Sequence, residues 1–142
     1  MGQQAFDPAR HIIIVRVKLQ DESGRLLYLQ MALDTGASMT VIPWQAAERL
    51  GLDPARSRRR VRFMTGSGTE VAPIITVPVM ELIGVRVTNV PVLCHDLPQR
   101  SLVDGLLGLS FLKYCRLNID FPKGVLSLDL SNRSRTSGVG SR

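Results

Sequence analysis

Asp34 stands where an apolar strand meets a tight turn, in the run Met31-Ala32-Leu33-Asp34-Thr35-Gly36-Ala37-Ser38. A carboxylate presented this way can move protons, because general acid-base chemistry needs the group held at a fixed angle with room beside it for a reactant. Leu27, Leu29, Met31 and Leu33 alternate as on a half-buried strand, and Asp34 closes the run where the chain must bend. The Thr35 hydroxyl can brace that bend by hydrogen bonding. Gly36 lets the backbone approach a carboxylate closely or take conformations closed to other residues. Asp-Thr-Gly alone is ordinary turn composition, so its setting must supply the meaning.

A second motif lies downstream at Asp104-Gly105-Leu106-Leu107-Gly108-Leu109-Ser110-Phe111-Leu112, two apolar residues followed by glycine. Together the two motifs resemble those of the retropepsin-like aspartic proteases, which include retroviral proteases, the protease domain of ubiquitin-shuttle proteins and small bacterial relatives. The resemblance covers residues 11 to 130 by order of elements. It implies an all-β fold: a single-lobed, closed β-barrel with a flap hairpin and one or two short helices, functional as a C2 homodimer. Asp34 would be the catalytic acid/base, Thr35 and Gly36 its supports, and Leu106-Leu107-Gly108 the packing beneath the turn. Val61 to Pro73, turning at Gly66-Ser67-Gly68, would be the flap. Met64 to Val71 would close over an extended peptide and add it as a strand. Ala37, Met64, Thr65, Gly66, Ser67 and Gly68 are the expected substrate contacts.

Two acids about 3 Å apart cannot both ionise, so they share a proton: one deprotonates a water while the other protonates the scissile carbonyl oxygen. This chain has one Asp-Thr-Gly, and 142 residues hold one lobe. The second carboxylate is therefore expected from a symmetry mate, with both Asp34 residues at the axis of an obligate homodimer. Asp120 sits in an alternating strand without a small-residue turn and is a poor internal substitute. The alternative reading is a noncatalytic peptide-binding or dimerisation module retaining the fold. The intact Asp34-Thr35-Gly36 favours the endopeptidase, since a binding module has no use for a proton-sharing acid. Ser38 and Leu109-Ser110 occupy places where retroviral enzymes carry Asp and Arg, so the charged dimer brace of that group is absent. Ala37 has no hydroxyl to hydrogen-bond the carboxylate, which implies a mildly acidic optimum.

Composition fits one compact β domain: 142 residues, 44% apolar, 5% aromatic. No window approaches the roughly 18 consecutive apolar residues of a membrane span. Arg16 and Lys18 interrupt the apolar start of the first long strand, and no small-residue cleavage site follows, so a cytoplasmic protein is expected. Cys94 and Cys115 are too far apart in sequence for a paired redox or metal motif and read as free, mostly buried thiols. His11 and His95 form no ligand spacing. Neither a metal nor any other cofactor is expected. The net charge is +6, and Arg56, Arg58, Arg59, Arg60 and Arg62 crowd one segment. No aromatics interleave with them, so a solvated loop is expected rather than a nucleic-acid site.

Along the chain, residues 1–10 read as an N-terminal extension, 11–130 as the protease domain and 131–142 as a disordered basic tail. Strands are expected over His11 to Gln20, Leu26 to Leu33, Val41-Ile42, Ile74 to Leu82, Val85 to Cys94, Leu117 to Phe121 and Val125 to Leu130. Pro43 as first helical residue and Gly51 at the exit outline a short helix over Trp44 to Leu50. Ser110 is expected to cap a second, over Phe111 to Cys115.

Overall fold

The computed structural model describes residues 2–130; the expected tail over 131–142 lies outside the described residues. Strand β1 is Gly2–Ala5. In β2 (Ile14–Gln20), buried Val15, Val17 and Leu19 alternate with Arg16, Lys18 and Gln20, while in β3 (Leu26–Leu33) Leu29 and Met31 turn inward between Tyr28 and Gln30. The two form an antiparallel hairpin with Val17 opposite Leu29. Asp21 holds its turn, accepting from Ser23 N, Ser23 Oγ and Arg25 N, each at 2.8 Å. Desolvation pushes the Asp21 carboxyl up, but the Ser23 hydroxyl, the two amides and the Arg25 charge outweigh it and leave the group below its ordinary value.

The remaining strands are β4 (Thr40–Ile42), β5 (Arg60–Thr65), β6 (Gly68–Leu82), β7 (Val85–Cys94), β8 (Gly105–Leu107), β9 (Cys115–Asp120) and β10 (Val125–Leu130). β3 runs parallel to β8, β8 antiparallel to β4, β4 parallel to β7 and β7 antiparallel to β6. The far half of β6 then returns to β2, with Leu19 opposite Met80. Strands β2-β3-β8-β4-β7-β6 thus close a six-stranded ring that exposes no edge. Its interior is filled by branched and long apolar side chains, among them Val17, Leu19, Met31, Val77, Met80, Val90, Leu107 and Phe111.

β5 stays outside the ring. It pairs only with the first six residues of β6, from Thr65 opposite Gly68 to Arg60 opposite Pro73, and Ile74 is the first residue of β6 to pair with β7. Pro73, which has no N–H to give a ladder, marks that change of partner. The expected flap hairpin is therefore the free end of a barrel strand, six residues long and reaching roughly 20 Å at about 3.3 Å per residue. Its turn is 66–67.

Residues 2–5, expected within an extension, form β1 and complete a three-stranded sheet in the order β1-β10-β9. Leu126 and Leu128 of β10 bury their side chains in the barrel core and so attach this sheet to it. Helix α1 is Trp44–Arg49, with Pro43 as its N-cap rather than its first residue and Gly51, at φ +72, just past its end. Helix α2 is shorter and earlier than expected: Leu109–Leu112, with Cys115 opening β9 instead of ending the helix. None of the helices among the described residues is long and apolar enough to cross a membrane.

Cys94 is fully buried at the end of β7, and burial pushes both its thiol and that of Cys115 up to about 12; the Asp96 charge adds to the effect at Cys94. At pH 8 the thiolate fraction then falls on the order of 10³-fold below that of a free cysteine. Iodoacetamide should accordingly leave both thiols intact in the native protein and modify both after denaturation, read by intact mass. Gly105 carries a packing constraint, since a Cβ there would lie 2.1 Å from Val41 O. Gly105→Ala should lower unfolding free energy by about 1–3 kcal/mol or more, measured by urea titration.

Candidate active site

Asp34 immediately follows β3, and its N–H donates to Leu107 O at 3.0 Å, so the side chain emerges where β3 and β8 end together. Gly36 N donates to Asp34 Oδ1 at 3.0 Å, and Ala37 N donates to Asp34 O at 3.2 Å to close the turn. A Cβ on Gly36 would sit 3.3 Å from that same Oδ1, so glycine keeps the carboxylate accessible. Asp34 is half-buried; Thr35, Gly36 and Ser38 are exposed. Among the described residues, no hydrogen bond or ion pair joins Asp34 to a second carboxylate.

The turn rests on Gly108. A Cβ there would lie 2.6 Å from Ala37 O and 2.7 Å from Met39 O, so any side chain would push the turn away. Gly108 N donates to Thr40 Oγ1 at 3.0 Å, Thr40 N to Ser110 Oγ at 2.9 Å, and Leu109 N to Ala37 O at 2.8 Å. Thr40 and Ser110 are the buried polar residues of the described chain, and each is spent on this contact. Two expectations change here. Thr35, expected to brace the turn, has no hydrogen-bond partner among the described residues, and Thr40 provides the brace. Ser110 caps no helix: Gly108 is the N-cap of α2, and the Ser110 hydroxyl is drawn instead to the orphan amide of Thr40.

Leu106 and Leu107 divide between two environments, as successive residues of a strand must. Leu107 is fully buried in the main core, whereas Leu106 packs on a smaller cluster of Val41, Ala72, Ile74 and Leu93 under the flap. Asp104 was not singled out from the sequence, yet its Oδ2 accepts from Gln30 N at 2.9 Å and its N–H donates to Gln30 O at 2.7 Å, fixing β8 beside β3. An Asp-Gly step ahead of an apolar strand was the available signal. Asp120 accepts from Lys123 N at 3.0 Å and belongs to the β9–β10 turn, in the other sheet from Asp34.

The flap folds down on the end of β7, where Phe63 meets His95 edge to face with ring centroids 4.8 Å apart. Between them lies a cleft of about 620 Å³ whose walls include Met64, Thr65, Gly66 and Ser67 from the tip and Val41, Leu93 and Leu106 from the barrel. Of the expected contacts, Gly68 and Ala37 do not line it. Gly68 takes φ +126 at the turn exit, where other residues are strained, while a Cβ on Gly66 would meet nothing within 4 Å. Thr65 Oγ1 staples the tip, accepting from Ser67 N at 3.2 Å and lying 3.1 Å from Gly68 O. Among the described residues, no group of three or more His, Cys, Asp or Glu side chains is placed to hold a metal.

A strand-end carboxylate braced by a buried glycine, in a closed single-lobed barrel with a flap, is the retropepsin-like architecture. The profile described as aspartyl protease matches residues 15–111, and the chain belongs to that family. A retropepsin-like aspartic protease from Rickettsia conorii is similar in fold, with a TM-score of 0.64 at 23% identity over 91% of this chain and 99% of that one. The protease of simian foamy virus (mac) aligns at a TM-score of 0.46 and 18% identity, over 71% of this chain and 92% of that one. A Sinorhizobium protein described as an uncharacterized protein in the cobV 5′ region is 33% identical over 85 residues, which is 59% of this chain. The match spans 35% of that relative's length.

The brace predicts a specific weakness. Thr40→Val keeps the shape but leaves Gly108 N without its acceptor, at a cost of about 1–3 kcal/mol for a buried orphaned donor. Thermal unfolding should show that loss, and Thr40→Ser, which restores the oxygen, should recover most of it.

Proposed function

We propose that the protein is an aspartic endopeptidase whose active site forms at the axis of a homodimer from the two Asp34 carboxylates. The observation that carries this reading is the Asp34 turn: a rigidly braced carboxylate, half-exposed beside the uncovered Thr35, Gly36 and Ser38, with no second acid bonded to it among the described residues. A lone carboxylate cannot act as acid and base at once. Two brought together across an axis hold a single proton between them. The ionised one takes a proton from water, whose oxygen attacks the scissile carbonyl carbon; the other protonates the carbonyl oxygen. Collapse of the tetrahedral intermediate returns a proton to the departing amine and regenerates the shared-proton pair.

In this reading Thr35 and Gly36 face the partner's turn, Leu106-Leu107-Gly108 with Thr40 keep each Asp34 from swinging, and the flap tip at Gly66-Ser67-Gly68 closes over an extended peptide lying in the cleft. Met64 to Ser67 would contact that peptide within the cleft, and Ala37 where it runs on past the Asp34 turn. Ser38 and the partly exposed Leu109 stand where a charged brace is missing, so dimer cohesion rests on apolar contact and backbone pairing.

Digesting a proteome-derived peptide library with wild type and Asp34→Asn across about pH 3 to 7, the range of a carboxylate dyad, tests the proposal. Cleavage should fall at least about 10²-fold in the variant, the usual contribution of a positioned acid-base group. Sedimentation under assay conditions should place activity with a dimer. An active monomer, or cleavage indifferent to Asp34, would overturn it.

A further inference from the structure

The charge on the cleft walls points to a class of substrate, an inference that rests on the peptidase reading above. The chain carries 18 Lys and Arg against 12 Asp and Glu, yet among the described residues no Lys or Arg lines the cleft. Its ionisable wall residues are Glu70, His95 and Asp96. A chain of net positive charge thus keeps this groove, among its described residues, free of Lys and Arg.

Strand alternation accounts for the sorting. On β5, Arg60 and Arg62 alternate with Val61 and Phe63, so the guanidinium groups lie on the face opposite Phe63. Glu70 stands directly across the ladder from Phe63 and therefore shares its face, above the cleft. Asp96 follows β7 on the barrel side, where its Oδ1 accepts from Trp44 N at 2.9 Å and is held in place by the start of α1. Glu70 has Thr65 Oγ1 within 3.4 Å of its Oε2. Neither carboxylate is ion-paired among the described residues. One therefore sits on the flap and one on the barrel, with the apolar side chains of Val41, Leu93, Leu97 and Leu106 also on the walls.

We propose that the cleft selects extended peptides in which a large apolar side chain is flanked by Lys or Arg, with Glu70 and Asp96 as the specificity-determining residues. The apolar chain packs on the barrel wall, and each basic neighbour finds an unpaired carboxylate on the flap or barrel side.

The experiment pairs matched synthetic peptides carrying Lys, Arg or Gln beside a common apolar residue with wild type, Glu70→Gln and Asp96→Asn, all checked for folding by circular dichroism. Cleavage is read as kcat/KM, and binding of the same peptides to Asp34→Asn is read by fluorescence anisotropy. Wild type should prefer each basic residue over Gln by about two- to fivefold, the range of a solvent-exposed ion pair. Glu70→Gln and Asp96→Asn should each erase the preference at one position only, and about 1 M salt should erase both. Equal use of Lys, Arg and Gln peptides, or a preference that survives both substitutions, overturns charge selection while leaving the peptidase reading standing. Binding to Asp34→Asn with that same charge dependence, without cleavage by wild type, supports the selection and removes the peptidase. Neither cleavage nor charge-dependent binding removes both.

Discussion

Everything at the candidate site depends on one close approach, the passage of the Asp34 turn over Gly108. Backbone oxygens of Ala37 and Met39 come within 2.7 Å of where a Cβ would stand, and such contact is possible only against glycine. The approach would strand a buried amide on each side, and Thr40 and Ser110 supply the two oxygens that prevent it. Their side chains are buried not to fill space but to let two turns share it. A carboxylate mounted on so tightly packed a base has little freedom to rotate away from a reactant, which is the preorganisation that proton transfer demands.

Closure of the barrel supports that base from a distance. Because β6 returns to β2, the strands that carry the two motifs lie in the middle of an unbroken ladder rather than near an edge. β3 and β8 run parallel, so both end at the same rim, and Asp104 locks their register through Gln30. The rim is where Asp34 appears. The apolar side chains of Met31 and Leu107 anchor it from below, inside a core without exposed ends.

Much of this was legible in the residues. The period-two runs marked β2 and β3, although β2 begins at Ile14 and not at His11, because amphipathic alternation leaves a strand only one face to bury. The Asp34-Thr35-Gly36 and Leu106-Leu107-Gly108 motifs marked the elements that meet. What stayed hidden depended on contacts distant in sequence. Thr35 and Thr40 are equally plausible hydroxyls until one is known to face outward and the other Gly108, 68 residues away in the chain. Ser110 looked like a cap by local sequence, but tertiary demand for an acceptor outweighed that preference. β1 has no apolar period to announce it; Gly2–Ala5 becomes a strand only because β10 offers an open edge.

The flap hairpin and the ring share β6, yet ring closure uses only its second part, from Ile74 onward. Everything from Arg60 to Pro73 can therefore lengthen, shorten or change sequence with the barrel ladder left whole. Such a scaffold can diverge quickly where it meets its ligands while its folding remains under separate and slower selection. Related chains should then differ most in the arm that overhangs the rim and least in the two turns stacked beneath it.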